Sequence, residues 1–290
     1  TALWTAAELA GATGGDWTGG AAAVGGLSID TRTLPPGDLV VALKDARDGH
    51  DFVRDAFAAG AAAALVDRAH APALAGSGPL LVVEAVLPAL EKLGVAARAR
   101  MRGRAIAVTG SVGKTSTKEM LRTALTPQGT THASVASYNN HWGVPLTLAR
   151  MPAGTDFGIF EIGMNHAFEI LPLSAFVRPE IAIVTTVEPV HLAQFPSVAA
   201  IADAKGEVFS GLTPGGAAVL NRDNPHFERL KAHAAASPAG RIVTFGAHAG
   251  ADVGLIGCVC AADHSDVEAV VLGEALRYRI GAPGRHLVQN

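Results

Sequence analysis

Cysteine is nearly missing from this sequence: only Cys258 and Cys260 occur among 290 residues. Two thiols in a Cys-x-Cys spacing build no disulfide framework, which points to a reducing compartment. With no second Cys pair to complete a metal site, both are expected to be buried small side chains. Long apolar runs are also lacking, and none approaches the ~20 residues that span a bilayer. The first residues, Thr1-Ala-Leu-Trp4, do not have the charged-then-apolar layout of a signal peptide. A cytoplasmic protein without membrane insertion is therefore expected. Nor does either sign of charge dominate: 23 Lys and Arg stand against 26 Asp and Glu, a net charge of −3. That gives no general attraction to nucleic acid or to anionic lipid. A hydrophobic content of 49% with only 17% charged residues excludes a disordered chain.

Glycine, by contrast, is abundant at 33 residues, as suits a turn-rich α/β protein. The length suggests two domains, at ~150 residues each. Residues 27–29, 39–43, 62–66 and 80–83 read as short strands, and 52–59 as a helix stopped by Gly60. A connecting helix is expected over 88–102, with basic residues in its last turns. The boundary is placed near residue 85, giving domains 1–85 and 86–290. From Ala105 onward strands and helices alternate, with strands at 106–109, 157–162, 181–187, 217–221 and 242–245. Their near-continuous apolar runs predict a doubly wound, mostly parallel sheet covered on both faces. After residue 251 the pattern turns to β (252–259, 267–272 and 275–280), and no terminal helix is expected.

The most informative stretch is Ile106-Ala-Val-Thr-Gly-Ser-Val-Gly-Lys-Thr-Ser-Thr117. A buried strand breaks into Gly110-Ser111-Val112-Gly113, and Lys114-Thr115-Ser116 opens a helix. Backbone N–H groups and the helix dipole favour an anion there, Lys114 adds a point charge, and the Thr115 hydroxyl suits Mg²⁺. The usual P-loop glycine five residues before Gly113 is replaced by Val108, so the loop is a shorter form beginning at Thr109. The reading is a nucleotide triphosphate site, with an ordinary glycine-rich βα turn as the alternative.

Other candidates cluster at strand ends. Glu161 closes the run Phe157-Gly-Ile-Phe160 and is placed to ligate Mg²⁺. His191 follows the strand at 181–187; a lone histidine is more often structural, and Mg²⁺ takes mostly oxygen. Lys205 lies on a helical stretch where a lysine is usually solvated. Asn139 and Asn140 precede an apolar helix and offer donors and acceptors without charge. In the first domain Asp30-Thr31-Arg32 follows a strand, and Arg32 has the fork for a diphosphate; Gly49-His50-Asp51 precedes a helix, and both segments read equally as caps and turns.

The ordered set Asp30-Thr-Arg32, Val40-Val-Ala-Leu-Lys44, Gly49-His-Asp51, Thr109-Gly-Ser-Val-Gly-Lys-Thr115, Tyr138-Asn-Asn-His-Trp-Gly-Val-Pro145, Glu161-Ile-Gly-Met-Asn-His166, His191-Leu, Ala204-Lys-Gly-Glu-Val-Phe209 and Gly284-Arg-His286 resembles the Mur ligases. Among them it is most similar to the branch that adds D-alanyl-D-alanine to UDP-N-acetylmuramoyl-tripeptide. The resemblance implies a small N-terminal α/β domain that binds the UDP moiety, with Thr31, Arg32, Lys44 and His50 in its site. It implies a P-loop ATPase domain in which Lys114 contacts the phosphates, Thr115 holds one Mg²⁺, and Glu161 with His191 holds another. It further implies that Lys205 is carbamoylated, that Asn221 and Asn290 lie at the nucleoside, and that Asn139 and Asn140 lie between the substrates. The activity implied is ATP-dependent amide ligation through an acyl phosphate. The family's third, C-terminal domain, which takes the amino substrate, is absent from this chain, and Leu287 and Gln194 depart from the family pattern. A sister Mur ligase, or a non-catalytic module binding nucleotide or UDP-sugar, stays open. A folylpolyglutamate-type ligase is disfavoured by the first-domain motifs, and a GTPase switch by the lack of an Asn/Thr-Lys-x-Asp segment.

Overall fold

Thr5 and Glu8 start the first helix by capping each other. The Thr5 hydroxyl accepts the Glu8 N–H at 3.2 Å, and the Glu8 carboxylate accepts the Thr5 N–H at 2.7 Å. The computed structural model describes residues 2–20, 23–190 and 192–289. It divides into two units, Thr1–Arg102 with Pro145–Ala153, and Gly103–Val144 with Gly154–Asn290.

In the first unit β1 (Trp4–Thr5) leads into α1 (Ala6–Thr13), followed by β2 (Asp16–Thr18) and β3 (Ala23–Val24), which pairs with β1. Then come β4 (Leu27–Ser28), β5 (Leu39–Val41), α2 (Val53–Ala58), β6 (Ala63–Asp67), α3 (Ala71–Leu74), β7 (Leu80–Val83) and α4 (Val86–Arg100). Strands β4 to β7 are parallel, and β2 closes one edge antiparallel, in the order β2-β7-β6-β5-β4. Val40, Val53, Ala56, Ala64 and Val66 pack one core, and each fully buried valine contributes ~1.5–3 kcal/mol. The division at residue 85 differs from that of the units, because α4 belongs with the first. Its Leu90, Leu93 and Ala97 are fully buried, and the adjacent Lys92 reaches the Thr13 carbonyl at the end of α1.

The second unit runs β8 (Arg104–Thr109), α5 (Lys114–Leu125), β9 (Thr131–Ala133), α6 (Gly143–Ala149, whose residues from Pro145 fall in the first unit), β10 (Phe157–Glu161) and α7 (Ile170–Val177). It continues with β11 (Ile181–Val184), α8 (Val198–Gly206), β12 (Ala217–Asn221), α9 (Phe227–Ala235), β13 (Arg241–Gly246), β14 (Val253–Cys260), β15 (Ser265–Val271), β16 (Glu274–Ile280) and α10 (Arg285–Gln289). One sheet has the order β16-β15-β14-β13-β12-β11-β8-β10-β9, parallel from β9 to β14 and antiparallel beyond. Strand β8 sits between β11 and β10, so the chain order reverses there and the carboxyl edge opens a crevice. Ile106, Val108 and Ile159 form the core beneath it, against Leu121 and Leu125 of α5.

Three sequence expectations change. The strand expected through residue 187 stops at Val184, because residues 185–188 leave the sheet to back the glycine loop. A helical turn, α10, follows Gly284 where none was expected, with the Leu287 N–H donating to the Gly284 carbonyl at 3.0 Å. Cys258 and Cys260 share one face of β14 near the sheet's antiparallel edge; Cys260 is exposed and Cys258 only partly buried. Among the described residues, no helix is long and apolar enough to cross a membrane.

Candidate nucleotide site

Gly110 leaves β8 with φ +151°, and a Cβ there would sit 1.9 Å from the Thr185 hydroxyl oxygen. That hydroxyl donates to the Val112 carbonyl at 2.5 Å, and the Ser111 N–H donates to the Thr186 carbonyl at 2.9 Å. Residues 185 and 186 thus press directly on the loop. Gly113, at φ +85°, is the second left-handed position and opens α5. Gly110→Ala is expected to displace the loop and weaken nucleotide binding at least ~10-fold, with little change in far-UV circular dichroism; calorimetric titration with ATP against wild type checks it.

Lys114 is the first residue of α5, and its ammonium donates to the Gly110 carbonyl at 2.8 Å. Burial lowers its pKa, and the Glu161 charge pulls the other way. Thr115 donates its hydroxyl to Glu161 Oε2 at 2.9 Å. Glu161, the last residue of β10 and 1% exposed, also accepts from the Asn139 amide at 2.8 Å. A buried carboxylate is stable here because polar donors replace its water. The main chain of Asn139 accepts the Gly163 N–H at 2.8 Å, while the Asn140 side chain caps α6 through the Gly143 N–H at 2.8 Å. Thr115, Glu161 and Asn139 are therefore one hydrogen-bonded set, and Asn140 is turned to the helix start.

Lys205 overturns the expectation for a helix lysine, being only 2% exposed on α8. Burial, reinforced by the positive charge of Lys114, lowers its pKa to about 7. Two lysines and one carboxylate in low-dielectric surroundings suit a polyanion. Asn221 ends β12; its amide donates to the Thr185 carbonyl at 3.1 Å and its oxygen accepts the Asp223 N–H at 2.9 Å. It lines a cavity of about 720 Å³ with Gly113, Ser116, Thr117 and Phe245. The Thr117 hydroxyl is buried without a protein partner. His191 and Asn290 lie outside the described residues.

Some contributors were missed in the sequence. Asn224, 6% exposed, donates its amide to the Thr186 hydroxyl at 3.0 Å and the Val187 carbonyl at 2.9 Å, holding the segment after β11 that backs the loop. Lys118 is fully buried and 3.9 Å from Glu161. It stands one turn beyond Lys114, in line with the inward Leu121 and Leu125, a spacing that sets its helix face without revealing its burial.

In the first unit the expected substrate residues follow the carboxyl ends of β4 and β5. Thr31 and Arg32 form a 3₁₀ turn capped by Asp30. The Arg32 guanidinium pairs with that same Asp30, whose carboxyl it draws down to about 2. This pair is exposed and solvent-screened, so it holds the side chain only weakly, and the guanidinium is available to exchange it for a stronger anion. Lys44 lies 3.4 Å from Asp48. His50 is buried and engaged on both ring nitrogens, Nδ1 with Asp48 at 2.6 Å and Nε2 accepting the Asp67 N–H at 3.1 Å. Its place in the fold is a lock between the 44–50 loop and β6. Burial raises the Asp48 carboxyl, but the His50 hydrogen bonds outweigh this and hold it at about 2. Asp48, His50 and His70 place ligand atoms within 4.8 Å of one another. The two imidazoles are stacked, however, 4.0 Å apart and 13° from parallel. Their lone pairs lie in near-parallel planes and do not converge on one ion, so this cluster is a hydrogen-bonded stack.

A glycine loop at the reversal point of a mostly parallel sheet, with a lysine and a threonine opening the helix and a carboxylate facing them, defines a P-loop nucleotide-binding α/β protein. Residues 108–290 match the Mur ligase middle domain and residues 23–124 the Mur ligase family catalytic domain. The chain belongs to the Mur ligase family. It is 40% identical over 221 residues to the UDP-N-acetylmuramoyl-tripeptide–D-alanyl-D-alanine ligase of Escherichia coli strain K12, covering 76% of this chain and 48% of that protein. The Bacillus subtilis strain 168 ligase of the same name is 38% identical over 201 residues, covering 69% and 44%. The chain thus spans about half the length of the curated relatives it matches. A crystal structure of MurF from Acinetobacter baumannii superposes with a TM-score of 0.86 at 29% identity, over 99% of this chain and 62% of that one. MurF from Thermotoga maritima, solved with ADP, shares the fold with a TM-score of 0.75 at 23% identity, over 91% and 60%.

Proposed function

We propose that this chain is the precursor- and nucleotide-binding part of an ATP-dependent ligase that joins D-alanyl-D-alanine to UDP-N-acetylmuramoyl-tripeptide in peptidoglycan synthesis. The observation that carries the reading is the bond between Thr115 at the helix start and the buried Glu161, beside Lys114. ATP is the substrate whose γ-phosphoryl the loop would hold, with Lys114 on the β- and γ-phosphates and the N–H groups of 110–116 around them. Asn221 and Asn290 would face the nucleoside. Domain 1–85 would take the UDP moiety through Thr31, Arg32 and Lys44, with His50 fixing the loop that carries Lys44. Asn139 and Asn140 would lie between the two substrates. A reaction that consumes ATP and a UDP-sugar precursor would run in the cytoplasm.

Mg²⁺ fits the donor set, since a threonine hydroxyl and a carboxylate in contact are hard oxygen ligands. Thr115 would hold one ion and Glu161, with His191, a second. Bound there, Mg²⁺ supplies charge neutralisation along the phosphates. The peptide's terminal carboxylate oxygen attacks the γ-phosphorus, the bond to the β–γ bridging oxygen breaks, and ADP leaves. The amine of D-alanyl-D-alanine then attacks the acyl phosphate, phosphate departs, and the amine proton passes to solvent. Lys114 stabilises the charge that develops on the leaving oxygen. The amino substrate would be taken by a third domain beyond this chain.

Lys205, with its pKa at about 7, supplies a large fraction of neutral amine near neutral pH. Its lone pair would attack CO₂ and release one proton, giving a carbamate that turns a cation beside Lys114 into an anion. In CO₂-free buffer the depressed pKa also affects stability. Below about pH 7 both states carry the proton and the folded state bears the full burial penalty. Between pH 7 and about 10.5 only the unfolded state holds it, so stability rises with pH across that window. The expected result is a melting temperature that climbs over this range relative to Lys205→Met, measured by scanning calorimetry. A difference between the two proteins that is flat with pH would contradict the buried, depressed lysine.

Phosphate release with ATP, UDP-N-acetylmuramoyl-tripeptide and D-alanyl-D-alanine tests the function. Release by a version extended to the length of its relatives, but not by this chain, would assign the missing step to the added segment. No release by either overturns the ligase reading and leaves a nucleotide and UDP-sugar binding module, which the half-length match also accommodates.

A further inference from the structure

Lys118 is among the largest fully buried side chains of the described residues, and none of the chemistry above uses it. It lies one turn beyond Lys114 on α5. Its ammonium donates to the Ser134 and Ala136 carbonyls, each at 2.8 Å, and lies 3.2 Å from Glu119 and 3.9 Å from Glu161. An ammonium withdrawn from water persists only where fixed oxygens replace its hydration. Those oxygens come from three places: α5 itself, the segment after β9, and the end of β10. Ala136 adopts φ +48°, a left-handed conformation that a residue with a Cβ holds only where its surroundings impose it. Three residues further on, Asn139 donates to the other Glu161 oxygen at 2.8 Å. Residues 134–139 are therefore tied to the nucleotide helix at one end by Lys118 and to the carboxylate at the other by Asn139.

We infer that Lys118 is a positioning residue that couples nucleotide binding on α5 to the placement of residues 134–140, and hence of the amides that would receive the carboxylate-bearing peptide. The inference rests on the proposed nucleotide site. A lysine whose only task is to fill the core would stabilise this segment equally with and without nucleotide. A coupling strut transmits the ordering of the loop and α5 to it.

Hydrogen exchange with mass spectrometry on the 290-residue chain, with and without Mg²⁺ and a non-hydrolysable ATP analogue, makes that distinction. In the wild type, nucleotide should slow exchange across residues 134–142 about tenfold. In Lys118→Met this nucleotide-dependent slowing should disappear, while exchange in β8 and β11 and the affinity for the analogue stay within about threefold of wild type. Lys118→Gln keeps hydrogen-bond donors and should restore part of the effect. Full slowing in Lys118→Met overturns the inference, as does wild-type protein that binds the analogue without any change at 134–142. Should Lys118→Met fail to fold, Asn139→Ala cuts the same link at its other end and should abolish the slowing too. Wild-type protein that binds no nucleotide removes the site reading and this coupling together, a result distinct from binding without coupling.

Discussion

Lys114→Ala is expected to abolish ATP-dependent phosphate release, lowering turnover by about 10³-fold or more. The side chain stands at the start of α5, where nothing else in the loop carries a full positive charge, and burial sharpens its field. Its ammonium is held 2.8 Å from the Gly110 carbonyl, a neutral oxygen that a phosphate oxygen would outcompete. Removing the side chain costs the fold little, because no buried carboxylate depends on it alone: Glu161 keeps Thr115, Asn139 and Lys118. Melting temperature should therefore stay near wild type while activity and Mg·ATP binding collapse. Normal turnover in this variant, measured by phosphate release in the version extended to its relatives' length, would sink the ligase assignment.

Glu161→Gln should separate metal from nucleotide. The wild-type carboxylate accepts from Thr115 on one oxygen and Asn139 on the other. A glutamine has one acceptor oxygen, so its own N–H groups must meet one of those donors. The anionic oxygen proposed as the Mg²⁺ ligand is lost at the same time. Mg²⁺ should then no longer strengthen nucleotide binding, and turnover should fall about 10²- to 10³-fold. Stability should fall as well, though by less than the ~3–5 kcal/mol of a fully orphaned buried charge, because Lys118 retains two carbonyls and Glu119. Titration of the nucleotide analogue with and without Mg²⁺ reads the first effect, and urea unfolding the second. An undiminished Mg²⁺ dependence would remove Glu161 from the metal site.

The glycine loop was legible because its chemistry is local: strand, left-handed glycines and helix start follow one another within a dozen residues, and each has a residue signature. The parallel sheet was legible for a similar reason, since strands covered on both faces read as unbroken apolar runs. The end of β11 was not. Val184-Thr-Thr-Val187 is all β-branched, as a strand favours, yet residues 185–188 are bent away by Ser111 and Val112, more than 70 positions earlier in the chain. The extent of α4 was likewise read well, but its allegiance was not, because helical spacing says which face is apolar and nothing about which sheet receives it.

The two lysines mark the division most clearly. From the residues alone, Lys205 and Lys118 were unremarkable polar members of helices, and only the family resemblance lifted Lys205 above that. The sequence by itself determined the glycine loop and helix start, the strand-ending Glu161 and the α/β class, since each depends on contiguous residues and their backbone preferences. Only the tertiary structure decided that Lys205 is buried beside Lys114, with its pKa at about 7, and that Lys118 is closed over by residues 134–136. Burial is a property of what packs above a residue, and the charge state of a lysine follows from burial. Neither is encoded in the few residues on either side of it.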